Sequence, residues 1–144
     1  MTIPMEYQHA SRDFERFLAD IQDRLGFATR NPAYTTVEGV LLTFRRRLNV
    51  AQALAFANLL PPVLRALFVA DFDSRQRPVP FASRDELTRE VQSLRRDHNF
   101  APPTAIAEVA AALRKIVDVE RLDDLLHLMP EGAAAYWSGE ASTG

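Results

Sequence analysis

Apolar residues recur at helical spacing in one segment after another, and that recurrence limits the possible folds of this chain more than any other feature of its sequence. Phe14, Phe17, Leu18, Ile21 and Leu25 fall at i, i+3, i+4, i+7 and i+11, one helix face that Gly26 ends. The two-residue period of a strand does not generate that series. Val37, Val40, Leu41, Phe44 and Leu48 repeat the spacing, and Thr35 with Glu38 three residues later reads as a capping box, which starts the second helix at Thr35. Asn49 with Gln52 starts a third by the same logic, carrying Val50, Ala53, Leu54, Ala57 and Leu60 until Pro61 and Pro62 stop it. Proline suits a first helical position, where its missing N–H would have no partner, so a fourth helix opens there with Val63, Leu64, Leu67 and Phe68 inward. Asp71 to Ala82 holds Pro78 and Pro80 and no period, and reads as a connector. Ser83 with Glu86 then caps a helix with Leu87, Val91 and Leu94 on its apolar face.

The second half of the sequence matches the first. Val37 to Phe68 aligns without a gap on Ile106 to Trp137, sixty-nine residues further on. Val40 meets Val109, Phe44 meets Leu113, Arg45 meets Arg114, Val50 meets Val119, Leu60 meets Met129 and Pro61 meets Pro130. Upstream the offset becomes seventy-three, pairing Phe14 with Leu87, Leu18 with Val91, Ile21 with Leu94 and Phe27 with Phe100. Matched core positions, caps and a helix-breaking proline imply a duplicated four-helix unit, and two copies favour a closed bundle over an extended solenoid. The expected fold is all-α: a compact bundle of seven to eight helices built from two tandem four-helix repeats in a pseudo-twofold relation. It occupies a single domain, 1–144, with repeat one at about 11–72, a connector at about 73–82, repeat two at about 83–137 and a disordered tail at 138–144. The expected core includes Leu18, Ile21, Val40, Phe44, Leu64, Val91, Leu94, Val109, Leu113 and Leu125, with Tyr136 and Trp137 closing the last helix inward.

Composition narrows the function classes. Apolar residues make up 47% of the 144 and charged ones 25%, which is globular composition, far from the signature of disorder. A net charge of -2, from 17 basic and 19 acidic side chains, provides no field toward phosphate backbones or anionic lipid, so neither nucleic acid nor membrane is an expected partner. There is no cysteine, which removes disulfides, thiolate metal sites, thiol nucleophiles and iron–sulfur chemistry together. Met1 to Ala10 has neither a basic flank nor an apolar run, and no apolar stretch approaches the eighteen or so residues of a bilayer span. The expected location is the cytoplasm.

The run Thr-Val-Glu-Gly-Val-Leu-Leu-Thr-Phe-Arg-Arg-Arg-Leu from Thr36 to Leu48, followed by Leu60-Pro61-Pro62-Val63-Leu64-Arg65 and by the Ser83-Arg84-Asp85-Glu86-Leu87 helix start, resembles the bacterial family known as domain of unknown function 2267. The resemblance runs from about Phe14 to Trp137. It implies a compact all-α fold of roughly globin size. Its motifs are packing and capping motifs, and it brings no activity, substrate or catalytic residue with it.

Chemistry-bearing residues are few. No two of the three histidines, His9, His98 and His127, stand at helical spacing from one another, and Asp71 and Asp73 lack the further ligands of a calcium loop. His98 falls at the edge of an apolar face and is the one axial candidate for haem, without a second pocket residue; His127 falls off its helix's apolar stripe and is expected in solvent. No nucleophile elbow or phosphate loop is present, so no catalytic residue, metal or cofactor is expected. The basic pairs carry more information. Arg45 and Arg46 match Arg114 and Lys115, and each pair ends a helix. Cations in a last turn offset the helix dipole by about 0.3–1 kcal/mol each, which accounts for them structurally. The alternative is that the repeat brings the two pairs together around an anion or an acidic partner. The sequence therefore points to a non-catalytic helical module that binds a protein partner or itself, and its alternative is a small-molecule or anion binder, even an enzyme, with a site between the repeats.

Overall fold

A computed structural model describes residues 2–94 and 101–139. Among these residues the chain forms nine α-helices and no strand: α1 (Met5–Gln8), α2 (Ala10–Leu25), α3 (Arg30–Arg45), α4 (Val50–Ala57), α5 (Pro62–Val69), α6 (Arg84–Ser93), α7 (Ala105–Arg114), α8 (Val119–His127) and α9 (Ala133–Tyr136). The count exceeds the eight expected of two four-helix units because a single turn, α1, stands ahead of the other eight. Four residues of α1 bury nothing, so no apolar period announced it.

Local chemistry explains most boundaries. Gly26 ends α2 in the left-handed conformation, φ 70°, its N–H and that of Phe27 closing the last turn on Asp23 and Gln22 carbonyls. Asn49 opens α4 with a reciprocal capping box: its Oδ1 accepts from Gln52 N at 2.8 Å and its own N–H donates to Gln52 Oε1 at 2.9 Å. Such a cap contributes about 1 kcal/mol. Pro62 is the first residue of α5, and the hydroxyl of Ser83 accepts from Glu86 N at the start of α6.

One boundary differs from the sequence reading. α3 begins at Arg30 rather than at Thr35, and Thr35 is a buried mid-helix residue whose hydroxyl donates to Asn31 O at 3.1 Å. Pro32 falls in the first turn, where a missing N–H leaves no hydrogen bond unmade, so the helix starts upstream of it. The Thr35 and Glu38 pair has the spacing of a cap without being one.

α3 is the central element and packs on α2, α5, α6 and α7, while α2 packs in turn on α7. Phe44 lies at the middle of an aromatic cluster, with ring centroids of Phe56, Tyr136, Trp137 and Phe81 at 4.8, 5.2, 5.4 and 5.9 Å. Eight of the ten expected core residues are buried; Leu94 and Leu125 are half-buried. Both stand near a helix end, where one side of the stripe runs out of neighbours. Tyr136 and Trp137 are buried as expected. Residues 140–144 of the expected tail, and Phe100, lie outside the described residues.

Candidate functional site

A groove of about 650 Å³ runs along α2. One wall is α2 from Ala10 to Asp23; the other is formed by Pro61, Val63 and Leu64 at the start of α5, with Lys115 and Ile116 after the end of α7. Two local features hold it open. Ala10 and Ala19 place methyl groups where longer side chains would fill the space, and the Pro61–Pro62 step prevents α4 from continuing across it. Phe14, Phe17, Val63, Leu64 and Ile116 make an apolar floor, and the charges stand along the α2 rim and at Lys115. Asp20 is shared between Arg24 Nε at 3.0 Å and Lys115 Nζ at 3.5 Å, and Arg24 reaches Glu108 at 3.4 Å. That leaves Asp13, Arg16 and Asp23 as the further rim charges.

The basic pairs end their helices as the sequence predicts: Arg45 is the last residue of α3 and Arg46 its cap, Arg114 the last of α7 and Lys115 its cap. Arg45 Nη1 donates to Phe68 O at 3.0 Å and Ala70 O at 2.7 Å, and its guanidinium lies over the Phe72 ring at 5.4 Å. Burial lowers its pKa, and the negative charge of Asp71 acts against that shift. Arg114 Nε donates to Trp137 O at 2.6 Å and its Nη2 to Asp123 Oδ1 at 2.8 Å. The hydrogen bond from Arg114, with its charge, holds the Asp123 carboxyl below the usual carboxylate range. Arg46 pairs with Glu90 at 3.1 Å and Lys115 with Asp20. Arg45 and Arg46 border a shallow depression of about 20 Å³ with Phe72, Asp73 and Arg77, whereas Lys115 borders the α2 groove. Each of the four cations thus has an acceptor within the chain, and neither concavity brings the two pairs together: Arg45 and Arg46 border one and Lys115 the other.

A second polar cluster escaped the sequence reading. Arg47 is 5% exposed, and its guanidinium takes both oxygens of Glu90 on α6, with Nη2 to Oε1 at 3.1 Å, and also donates to Thr43 O at 2.9 Å. The buried Tyr136 hydroxyl donates to Val40 O at 2.6 Å, and burial pushes this phenol far above its ordinary pKa. Arg47 is the third member of an exposed-looking Arg-Arg-Arg run, so nothing in its type or spacing marks it as internal. The groove was equally hidden, because Phe14, Phe17 and Val63 read as ordinary core positions. Its signal was the recurrence of Asp13, Asp20 and Asp23 along one helix beside two alanines. His127 is exposed, with Nδ1 2.6 Å from Asp123 O; His98 lies outside the described residues. Among the described residues no three His, Asp or Glu side chains are placed to hold a metal ion, and no helix is long and apolar enough to cross a membrane.

A family model described as an uncharacterized conserved protein, DUF2267, matches residues 14–136, most of the chain. The chain belongs to the DUF2267 family. The DUF2267 match begins within α2 and ends at the last residue of α9, so it takes in every groove-lining residue except Ala10 and Asp13 and leaves α1 outside it. No curated protein matches the sequence.

Proposed function

We propose that this DUF2267 protein is a non-catalytic, cytoplasmic helical binding module, built from two copies of a four-helix unit, whose docking surface is the groove along α2. The observation that carries the reading is the groove's lining: an apolar floor on which Phe14, Val63 and Ile116 are open to solvent, with charge along the α2 rim and at Lys115. That is how an amphipathic segment is received, its apolar anchors on the floor and its polar groups along the rim. The groove's volume also lies within the range of small-ligand sites. Asp13 and Asp23 on its rim repel an anion, so an anionic ligand is the weaker reading there.

Local geometry supports the duplication. Arg45 holds Phe68 O and Arg114 holds Trp137 O, each across 23 residues. Asn49 accepts from Gln52 N, and Asp118, its counterpart, accepts from Arg121 N at 3.2 Å. On that division the groove lies on the seam, with α2 and α5 from the first unit and the Lys115–Ile116 turn from the second.

Helical peptides selected for binding from a displayed library, titrated into ¹⁵N-labelled protein, test the reading. Perturbed amides are expected along Ala10 to Asp23 and at Val63 and Ile116. Perturbations confined to the Arg45–Arg77 depression would move the docking surface there and overturn it.

A further inference from the structure

The N-terminal arm presents large apolar side chains to solvent. Ile3, Met5 and Tyr7 are 64, 69 and 50% exposed, and α1 has no buried residue. His9 alone separates α1 from α2; its N–H bonds to Met5 O and its carbonyl accepts from Asp13 N, both at 2.9 Å. The arm therefore runs on from the N-terminus of α2, away from the groove that begins at Ala10. It does not cover its own groove.

Arm and groove nevertheless match. Tyr7 stands three residues before Ala10 and seven before Phe14, so helical spacing puts its ring on the side of the helix that forms the groove wall. The groove runs along α2 from Ala10 to Asp23, about 20 Å. Residues 2–8 span about 16 Å with α1 formed. Glu6 is the one charged side chain in this arm, and the rim offers it Arg16 as an opposite charge, Lys115 being paired with Asp20.

Resting on the docking role of the groove, we propose that its occupant is the N-terminal arm of a second copy of this chain, exchanged reciprocally in a two-fold dimer. Two α1–α2 helices lie antiparallel, each arm laid along the groove of its neighbour. An axis near Ser11 sets Glu6 opposite the second copy's Arg16, Ile3 opposite its Ala19, and Tyr7 beside its Phe14. The contact is self-complementary and closed, so it stops at two copies. Each copy completes the other's site: the arm covers the apolar floor that the neighbour leaves open.

Sedimentation velocity and native mass spectrometry at concentrations up to about 200 µM test the exchange. The wild-type chain is expected to form a concentration-dependent dimer. Tyr7→Asp in the arm and Ile116→Asp at the groove should each raise its dissociation constant by at least about tenfold, with helical circular dichroism unchanged. Both positions are substantially exposed, so neither variant disturbs the core. Glu6→Arg should weaken the dimer, and adding Arg16→Glu should restore it. A monomer throughout that range, or a dimer indifferent to the arm variants, overturns the exchange. Selected peptides that still map to the groove of such a monomer leave the docking reading standing; peptides that miss the groove overturn the docking reading itself.

Discussion

Replacing Phe44 with alanine probes the packing at its densest point. The ring is wholly buried, and four other aromatic rings have centroids within 6 Å of its own. Truncation forfeits the burial of the ring and leaves a hole that neighbours only partly fill, a loss of about 3–5 kcal/mol. The aromatic pairs, about 0.5–1.5 kcal/mol each beyond burial, put Phe44→Ala toward the upper end of that range. Against a total stability on the order of 5–15 kcal/mol, the variant should still fold, melting about 8–15 °C lower. Urea unfolding followed at Trp137, the chain's single tryptophan, together with far-ultraviolet circular dichroism measures the change. The denaturant slope should stay constant, since the surface exposed on unfolding is nearly the same. Leu113, equally buried but outside the aromatic cluster, provides the comparison: Leu113→Ala should lose about 2–3 kcal/mol. A loss below about 1 kcal/mol in Phe44→Ala would falsify the placement of this ring at the centre of the core.

Gly132→Ala should destabilise by about 2–4 kcal/mol, because its φ of 101° suits glycine and a new Cβ would stand 2.6 Å from Phe81 Cβ; an unchanged urea midpoint would refute this. Arg47→Ala leaves the half-buried Glu90 with Arg46 as its remaining partner and should lose about 1–3 kcal/mol, whereas the double change Arg47→Met with Glu90→Leu should recover part of it. A double variant no better than the single one would show that the pair is not what matters there. Asp123, with its carboxyl depressed by Arg114, stabilises the fold above its unfolded pKa of about 3.9, and that contribution is lost as pH falls through the lower folded value. Its side chain is 44% exposed, so screening keeps the effect small. The wild type should lose slightly more of its urea midpoint than Asp123→Asn between about pH 5 and pH 2.5, and equal losses would count against the pairing.

What the sequence revealed is whatever rests on local rules. Helical spacing located the face of α2, Gly26 its end, Asn49 and Gln52 the cap of α4, and Pro62 the start of α5, because each acts through residues within a turn of itself. Thr35 shows the limit of such rules: the spacing of a capping box is present, but Pro32 permits an earlier start and the threonine is drawn inside. The same limit applies to α1, which has no apolar stripe to betray it, and to Arg47, whose partner Glu90 lies forty-three residues away on another helix. The groove was invisible for a related reason. Phe14 and Val63 have the same helical phase as fully buried neighbours, and only the bulk of what stands opposite decides whether such a residue faces the core or a cleft. Arg45 and Arg114 were recognisable as helix-end cations, yet the carbonyls they hold, Phe68 O and Trp137 O, come from the folded chain alone.

The crossed packing of α3 on α6 and of α2 on α7 ties the early and late segments of the chain into one cooperative unit. Neither segment can open while leaving the other intact, because each supplies the apolar surface that the other's central helix is buried against. Amides of α3 and α7 are therefore expected to exchange with solvent only through global opening, and to share one exchange free energy despite their separation in sequence. In the monomer α1, outside that interlock, should exchange near the intrinsic rate. A protein assembled in this way keeps its scaffold as a single foldon and has a segment free to associate without disturbing it.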